Sequence, residues 1–546
     1  MTTKMNRRQF LKGSLCIGAA GVAGGAALVG CTPSTSASAD KEATAGHADA
    51  KPAWQVRPDL GEPTETVQAD ICICGAGGCG LSAAIQAHDL GMNVVLLEKK
   101  SSAGGTFGFS EITYALNSQI AKDAGFDIDV NEQVNVSLEY NHYIPSHELY
   151  VNFFSQTGET ADWVQTFGCE FMTEADKIPS GTSLYYAGDT RHGAGFEFIQ
   201  HFVDAAEERG INIMYKTAAN ELVIGDDGKV AGVIAEGENG KVVKIEAPAV
   251  LLCTGGWGSN ADMVREIGEV DPEKVTAAGL DGRDGDGIVM ALNAGAAWAR
   301  GRGTMMFFGP MMPGSNWGDE LWAGTQQPTL WVNQDGKRFI NEGIGDLMAK
   351  GNAMRDLERT LVIASQADVD RFAEVGTWRN SGGFMPAGTK LTEFKSLLQK
   401  TIDDGNEYCF VADSIEELAD AAGLDKETFV ATVDRYNELV ANGADTDFGK
   451  KADYLSPLKD NGPFYAFDSR DAFYTTVGGV RVNENTQVVG ADGKIIQGLY
   501  AGGCDAGGLY GDTYAFLAAK GVQSSWAMNS GRMAAKHAAK YLGIGQ

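Results

Sequence analysis

The chain has 546 residues, more than a single hydrophobic core usually serves. Apolar residues make up 44 % and charged residues 21 %, which excludes a disordered chain. The formal net charge of -28 argues against nucleic acid and anionic lipid as partners. Glycine, at 71 residues, is about twice as frequent as average, with no collagen-like period. The excess points to tight turns and to close approaches of backbone to backbone or ligand.

In chain order, the basic stretch around Arg7-Arg8 precedes a Gly/Ala-rich apolar run over 13–30. That pattern predicts an export signal over residues 1–39, of the twin-arginine type. The run is short and glycine-rich for a membrane span. Leu28-Val29-Gly30-Cys31 resembles a lipoprotein box, which would leave a lipid on Cys31 as the one membrane attachment. Ala37-Ser38-Ala39 suits ordinary processing, and both readings stay open. Residues 40–65 read as a flexible linker. Twin-arginine export carries folded proteins, so it predicts a redox cofactor inserted before export.

The nine cysteines include no Cys-x-x-Cys pair. An iron–sulfur cluster needs four thiolates in a tight group. Cys72 and Cys74 fall in an expected buried strand, where small core residues are the better reading. No metal-ligand spacing stands out.

Residues 69–74 predict a buried strand, and Leu81 onward predicts a helix. Between them stands Gly75-Ala76-Gly77-Gly78-Cys79-Gly80, a GxGxxG turn in the context a dinucleotide site requires. Gly75 makes the turn, Gly77 lets backbone approach a pyrophosphate, and Gly80 lets helix and strand pack. A second strand over 93–97 ends at Glu98, placed to bind ribose hydroxyls. Lys99 follows, then Gly104-Gly105-Thr106. Further glycine turns come at Thr254-Gly255-Gly256, at Asp284-Gly285-Asp286-Gly287 and at Gly502-Gly503-Cys504-Asp505. An extended cofactor touched by distant segments explains them; an NAD site on one βαβ unit does not.

These segments, with Gly336-Lys337-Arg338-Phe339 and Gly478-Gly479-Val480, stand in family order. They resemble the flavoprotein of the fumarate reductase/succinate dehydrogenase family, which includes 3-ketosteroid dehydrogenases and urocanate reductase. The resemblance implies non-covalent FAD bound by the residues above, with Asp286 among them. It implies an α/β fold: a Rossmann-like FAD-binding domain with a parallel sheet, helices and an antiparallel meander, interrupted by an α+β capping domain. The FAD-binding parts fall at 66–300 and 466–546, and the cap at 301–465. Asp226-Asp227-Gly228 and Asn239-Gly240 fit the meander's turns. Residues 414–441 and 518–541 are helical in pattern.

The family's substrate-binding arginine falls at Tyr514, its histidine at Tyr474 or Thr475, and its proton-donating arginine at Asp346. Burying a dicarboxylate needs paired cations, so these losses argue against fumarate or succinate. Gly511-Asp512-Thr513-Tyr514 instead resembles the ketosteroid dehydrogenase pattern, in which the tyrosine hydrogen-bonds a substrate carbonyl. Tyr514 and Tyr474 are therefore the candidate catalytic residues. A Trp- and Met-rich stretch over 298–331 fits either a bulky apolar substrate or the cap's own core. His192 falls where the family chain approaches the flavin, but a lone histidine is more often structural. The resemblance implies an exported reductase of an activated C=C bond, an enone or unsaturated lactone, with hydride from FAD N5 and a protein acid. With no second nucleotide unit in the chain, a membrane-anchored c-type cytochrome is the expected electron donor. The reverse reaction, a ketosteroid-type dehydrogenase, and a non-catalytic flavin relay are the alternatives.

Overall fold

The computed structural model describes residues 51–174, 181–188, 193–381, 385–459 and 462–545. The export signal, the first part of the linker and His192 lie outside them. The central sheet has six strands in the order Gln487–Val489, Ile495–Ala501, Ala249–Leu252, Ile71–Cys74, Val94–Leu97 and Asn212–Met214. All neighbours are parallel except the first pair. Every residue of Ile71–Cys74 is buried, as expected for a strand covered on both faces. Helices Gly78–Asp89 and Val522–Leu542 pack against this sheet and closely against each other. Gly531 permits the approach, since a Cβ there would stand 2.2 Å from the Cys79 carbonyl oxygen.

The meander forms as Ala218–Ile224, Val230–Glu236 and Val242–Glu246. It gains a fourth, parallel strand from Glu65–Gln68, inside and just beyond the stretch read as linker. The described part of that linker is not a free tether. The Trp54 indole N–H donates to Glu266 at 2.6 Å, and Arg57 pairs with Asp286 at 2.6 Å. Short-range composition hid these partners, which lie more than 200 residues away.

The cap is built around Phe464–Thr476, which pairs antiparallel with Met305–Met311, Thr360–Ser365 and Cys409–Ala412 and parallel with Val275–Ala277. The expected boundary at 465/466 therefore cuts through the cap's central strand, whose far end runs on to the cavity. The helical pattern over 414–441 is two helices, Ile415–Ala422 and Lys426–Ala441, broken at left-handed Gly423. Leu418, Leu424, Phe429, Val433 and Tyr436 pack beneath Leu330, Val332 and Leu361. Arg338 of the Gly-Lys-Arg-Phe stretch forks onto Glu342 and also reaches Asp445 at 2.7 Å, so that motif braces the cap.

Candidate active site

A cavity of about 520 Å³ runs between the sheet's carboxyl ends and the cap. At one end, Ile71–Cys74 turns at Gly75, whose φ is 108°. A Cβ on Gly75 would lie 2.5 Å from the Cys253 carbonyl oxygen, and one on Gly80 would lie 1.8 Å from that of Gly75. Gly77 differs: its Cβ would meet nothing closer than 3.9 Å, so its open side is cavity. Helix Gly78–Asp89 starts there, with N–H groups placed for an anion.

Glu98 lines this end and accepts N–H groups from Ala76 at 2.9 Å and Lys100 at 2.8 Å. Lys99 is not a free phosphate ligand, because its ammonium lies between Asp284 at 2.8 Å and Asp286 at 2.7 Å. Burial alone would raise the Asp286 carboxyl, but Lys99 and Arg57 override it and hold it below its ordinary range. Gly104, with φ 106°, donates its N–H to the Ala76 carbonyl and brings Gly104-Gly105-Thr106 to the wall.

Cys79, Thr254, Gly255, Gly503 and Cys504 also line the cavity. Ala76, Gly80, Gly256 and Asp505 stand behind its wall rather than facing it. Asp505 is fully buried and accepts from the Thr254 N–H at 2.6 Å, the Thr254 hydroxyl at 2.9 Å and the Gly256 N–H at 2.9 Å. It positions the cofactor loop by joining two distant glycine turns. Burial pushes its carboxyl up.

The other end is apolar. Phe109, Phe196, Met306, Phe308, Trp317 and Met348 form its walls. The Trp/Met-rich stretch therefore divides: Met306, Phe308 and Trp317 face the cavity, while Met305, Phe307, Trp322 and Trp331 are core. Tyr474 lines this end, but its hydroxyl donates to the Thr106 carbonyl at 3.0 Å. That proton is engaged in holding the Thr106 loop, whereas the proton of Tyr514 is not engaged by any described residue. Asp346 caps helix Leu347–Met354 and takes the Tyr140 hydroxyl, outside the cavity wall.

Tyr514 is 2 % exposed and lines the cavity. Its hydroxyl oxygen accepts the Gln523 N–H at 3.4 Å, at the start of the C-terminal helix. Among the described residues its own proton has no acceptor. Burial raises its pKa, which keeps that proton in place. A chain of contacts fixes the floor beside it. The Tyr510 hydroxyl donates to Gln523 Oε1 at 2.7 Å, Gln523 Nε2 donates to Cys504 Sγ at 3.2 Å, and Thr475 Oγ1 lies 3.3 Å from that sulfur.

Sequence reasoning missed Arg283, which is 4 % exposed and lines the cavity. It donates to the Leu280 carbonyl at 2.6 Å and the Tyr474 carbonyl at 2.8 Å. The missed signal was a basic residue immediately before the Asp284–Gly287 turn. Among the described residues, no group of three or more His, Cys, Asp or Glu side chains could hold a metal ion.

The fold and cavity define a dinucleotide-dependent oxidoreductase. The chain belongs to the FAD-binding-domain family, whose model matches residues 70–518. It is 29 % identical over 486 residues to the vinyl phenol reductase of Lactiplantibacillus plantarum, covering 86 % of this chain and 96 % of that one. It is 27 % identical over 490 residues to the cytochrome fumarate reductase of Shewanella frigidimarina, covering 88 % and 78 %. The digoxin reductase of Eggerthella lenta is 25 % identical over 575 residues, covering 97 % and 96 %. In fold, the chain is similar to the 3-ketosteroid Δ1-dehydrogenase of Sterolibacterium denitrificans, with a TM-score of 0.71 at 17 % identity over 87 % of this chain and 99 % of that one.

The residues present fit FAD. Gly77 and the helix behind it would take the pyrophosphate, Glu98 the ribose, and Gly104–Thr106, Thr254-Gly255 and Gly503-Cys504 the flanks of an extended cofactor.

Proposed function

We propose that this chain reduces an activated C=C bond in a bulky, largely apolar substrate. The observation that carries this reading is the apolar end of the cavity. Aromatic and methionine side chains wall it, and the proton of Tyr514, which no described residue accepts, is its neutral donor. FAD, when bound, supplies the hydride-donating two-electron couple. Tyr514 would donate to the carbonyl conjugated with the double bond, where negative charge grows as reduction proceeds. The Tyr510–Gln523–Cys504–Thr475 chain keeps the floor rigid beneath it. Tyr474 and Asp505 hold the loops that carry Thr106 and Thr254.

The named activities of the relatives, on vinyl phenols, fumarate and digoxin, support reduction of C=C bonds across a range of substrate sizes. Steroid-sized enones and unsaturated lactones fit the apolar wall. Export by the twin-arginine route, with a lipid on Cys31 as the possible tether, and electron supply by a membrane-anchored c-type cytochrome complete the reading. Arg7-Arg8 and the cytochrome-linked relative support it.

The test is anaerobic reoxidation of dithionite-reduced protein by a panel of enones, enoates and lactones. Rapid return of the oxidised flavin spectrum with one class, with the saturated product recovered, is expected. Turnover of a saturated ketone with an artificial acceptor, and of no unsaturated compound, would favour the dehydrogenase. Silence with every compound would leave an electron relay.

A further inference from the structure

Lys520 stands just before Gly521, the left-handed N-cap of helix Val522–Leu542. It lines the apolar end of the cavity beside Phe516, and its Nζ lies 5.6 Å from the Phe516 ring centroid. Among the described residues its ammonium has no carboxylate partner and no hydrogen-bond acceptor. Burial lowers its pKa. A half-buried ammonium against an apolar wall is costly until an anion completes it.

No described residue supplies that anion. Lys99 is already neutralised by Asp284 and Asp286 at the opposite, pyrophosphate end. Arg283 gives Nε and Nη1 to two backbone carbonyls, while its buried Nη2 has no hydrogen-bond partner among the described residues. Lys100 also lines the cavity but is exposed and follows Lys99, whereas Lys520 is the partly buried ammonium, beside Phe516, that has no carboxylate partner among the described residues.

We infer that Lys520 is a specificity-determining anchor for a carboxylate on the substrate, so that favoured substrates join one acid group to an apolar, aromatic-sized body. This rests on the reading of the cavity as a reductase site and narrows its substrate class. A single ammonium suits a monocarboxylate, which accords with the loss of paired cations at Tyr514 and Asp346. The contact orients the substrate and transfers no atom.

The experiment uses FAD-loaded wild type, Lys520→Met and Lys520→Arg, each checked for full flavin content. Binding of 3-phenylpropionate and of its methyl ester is followed by perturbation of the flavin absorbance. Reoxidation of the reduced proteins by cinnamate and methyl cinnamate gives KM and kcat. In Lys520→Met the acid-to-ester preference should fall by about 10–100-fold, the size of one charge-assisted contact. KM for the acid should rise more than kcat falls, and Lys520→Arg should restore most of the preference. The inference is overturned if wild type does not bind the acid. Equal weakening of acid and ester in Lys520→Met, or a changed flavin spectrum without a changed preference, also overturns it. If the acid binds through Lys520 but neither compound reoxidises the flavin, the anchor stands and the reductase reading fails.

Discussion

At Tyr514 one hydroxyl does two things: it accepts a helix N–H from Gln523 at 3.4 Å and keeps a proton that no described residue takes. Removing such a donor from a developing enolate costs on the order of 10²–10³ in turnover. Tyr514→Phe keeps the ring and its packing against Tyr510, whose centroid is 5.3 Å away. The variant should stay yellow and be reduced normally by dithionite, yet be reoxidised by substrate slowly. Losing the accepted N–H should lower stability by only about 1 kcal/mol. Stopped-flow reoxidation of wild type and variant separates the two effects, and near-normal rates would leave Tyr514 a packing residue. This tyrosine was legible because Gly511-Asp512-Thr513-Tyr514 follows a glycine turn of family pattern. Arg283 and Lys520 were not, since a lone basic residue carries no spacing and its meaning lies in which neighbours fail to neutralise it.

The strand–turn–helix unit from Ile71 to Asp89 shows that glycines in one motif do different work. Gly77 has φ -84°, a conformation any residue adopts, and open space where its side chain would be. Gly77→Val should therefore fold and melt as the apoprotein does, while retaining no flavin. A Cβ on Gly80 would stand 1.8 Å from the Gly75 carbonyl oxygen, so Gly80→Ala must push helix and turn apart. The cost should be about 3 kcal/mol, in the range of overpacked cores. Visible absorbance and thermal melts of the two proteins read the contrast; a flavin-loaded Gly77→Val protein would show the pyrophosphate to bind elsewhere. Such turns were legible because strand, glycines and helix are contiguous. The central strand of the cap, Phe464–Thr476, was not assigned to its own domain because its partners begin at Val275, Met305, Thr360 and Cys409. Glu65–Gln68 pairs with Val242–Glu246, and no local pattern encodes a partner that distant.

Across the molecule, burial of titratable groups sets how stability depends on pH. Lys350 is fully buried and its pKa is driven down by that burial, chiefly through lost solvation. Folding therefore releases its proton, and its contribution is complete above the unfolded lysine value near 10.4 and lost as pH falls. Tyrosines act with the opposite sign. Tyr114, Tyr150, Tyr510 and Tyr514 are all at most 3 % exposed, and burial raises each pKa. Their contribution is complete below about pH 10 and is lost above it, because the unfolded chain then ionises phenols that the folded chain keeps neutral. At pH 11 the four together should remove on the order of 5 kcal/mol, comparable to the whole stability of many domains. The midpoint of urea unfolding, measured with excess FAD, should hold or rise gently from pH 8 to 10 and fall steeply by pH 11. Absorbance of tyrosinate should appear with the unfolding transition rather than ahead of it. Ionisation of these phenols in the folded protein near pH 10, with the midpoint unchanged at pH 11, would mean that these buried tyrosines, Tyr514 of the cavity wall among them, reach solvent. The neutral, protonated Tyr514 on which the proposed chemistry depends would then lose its physical basis.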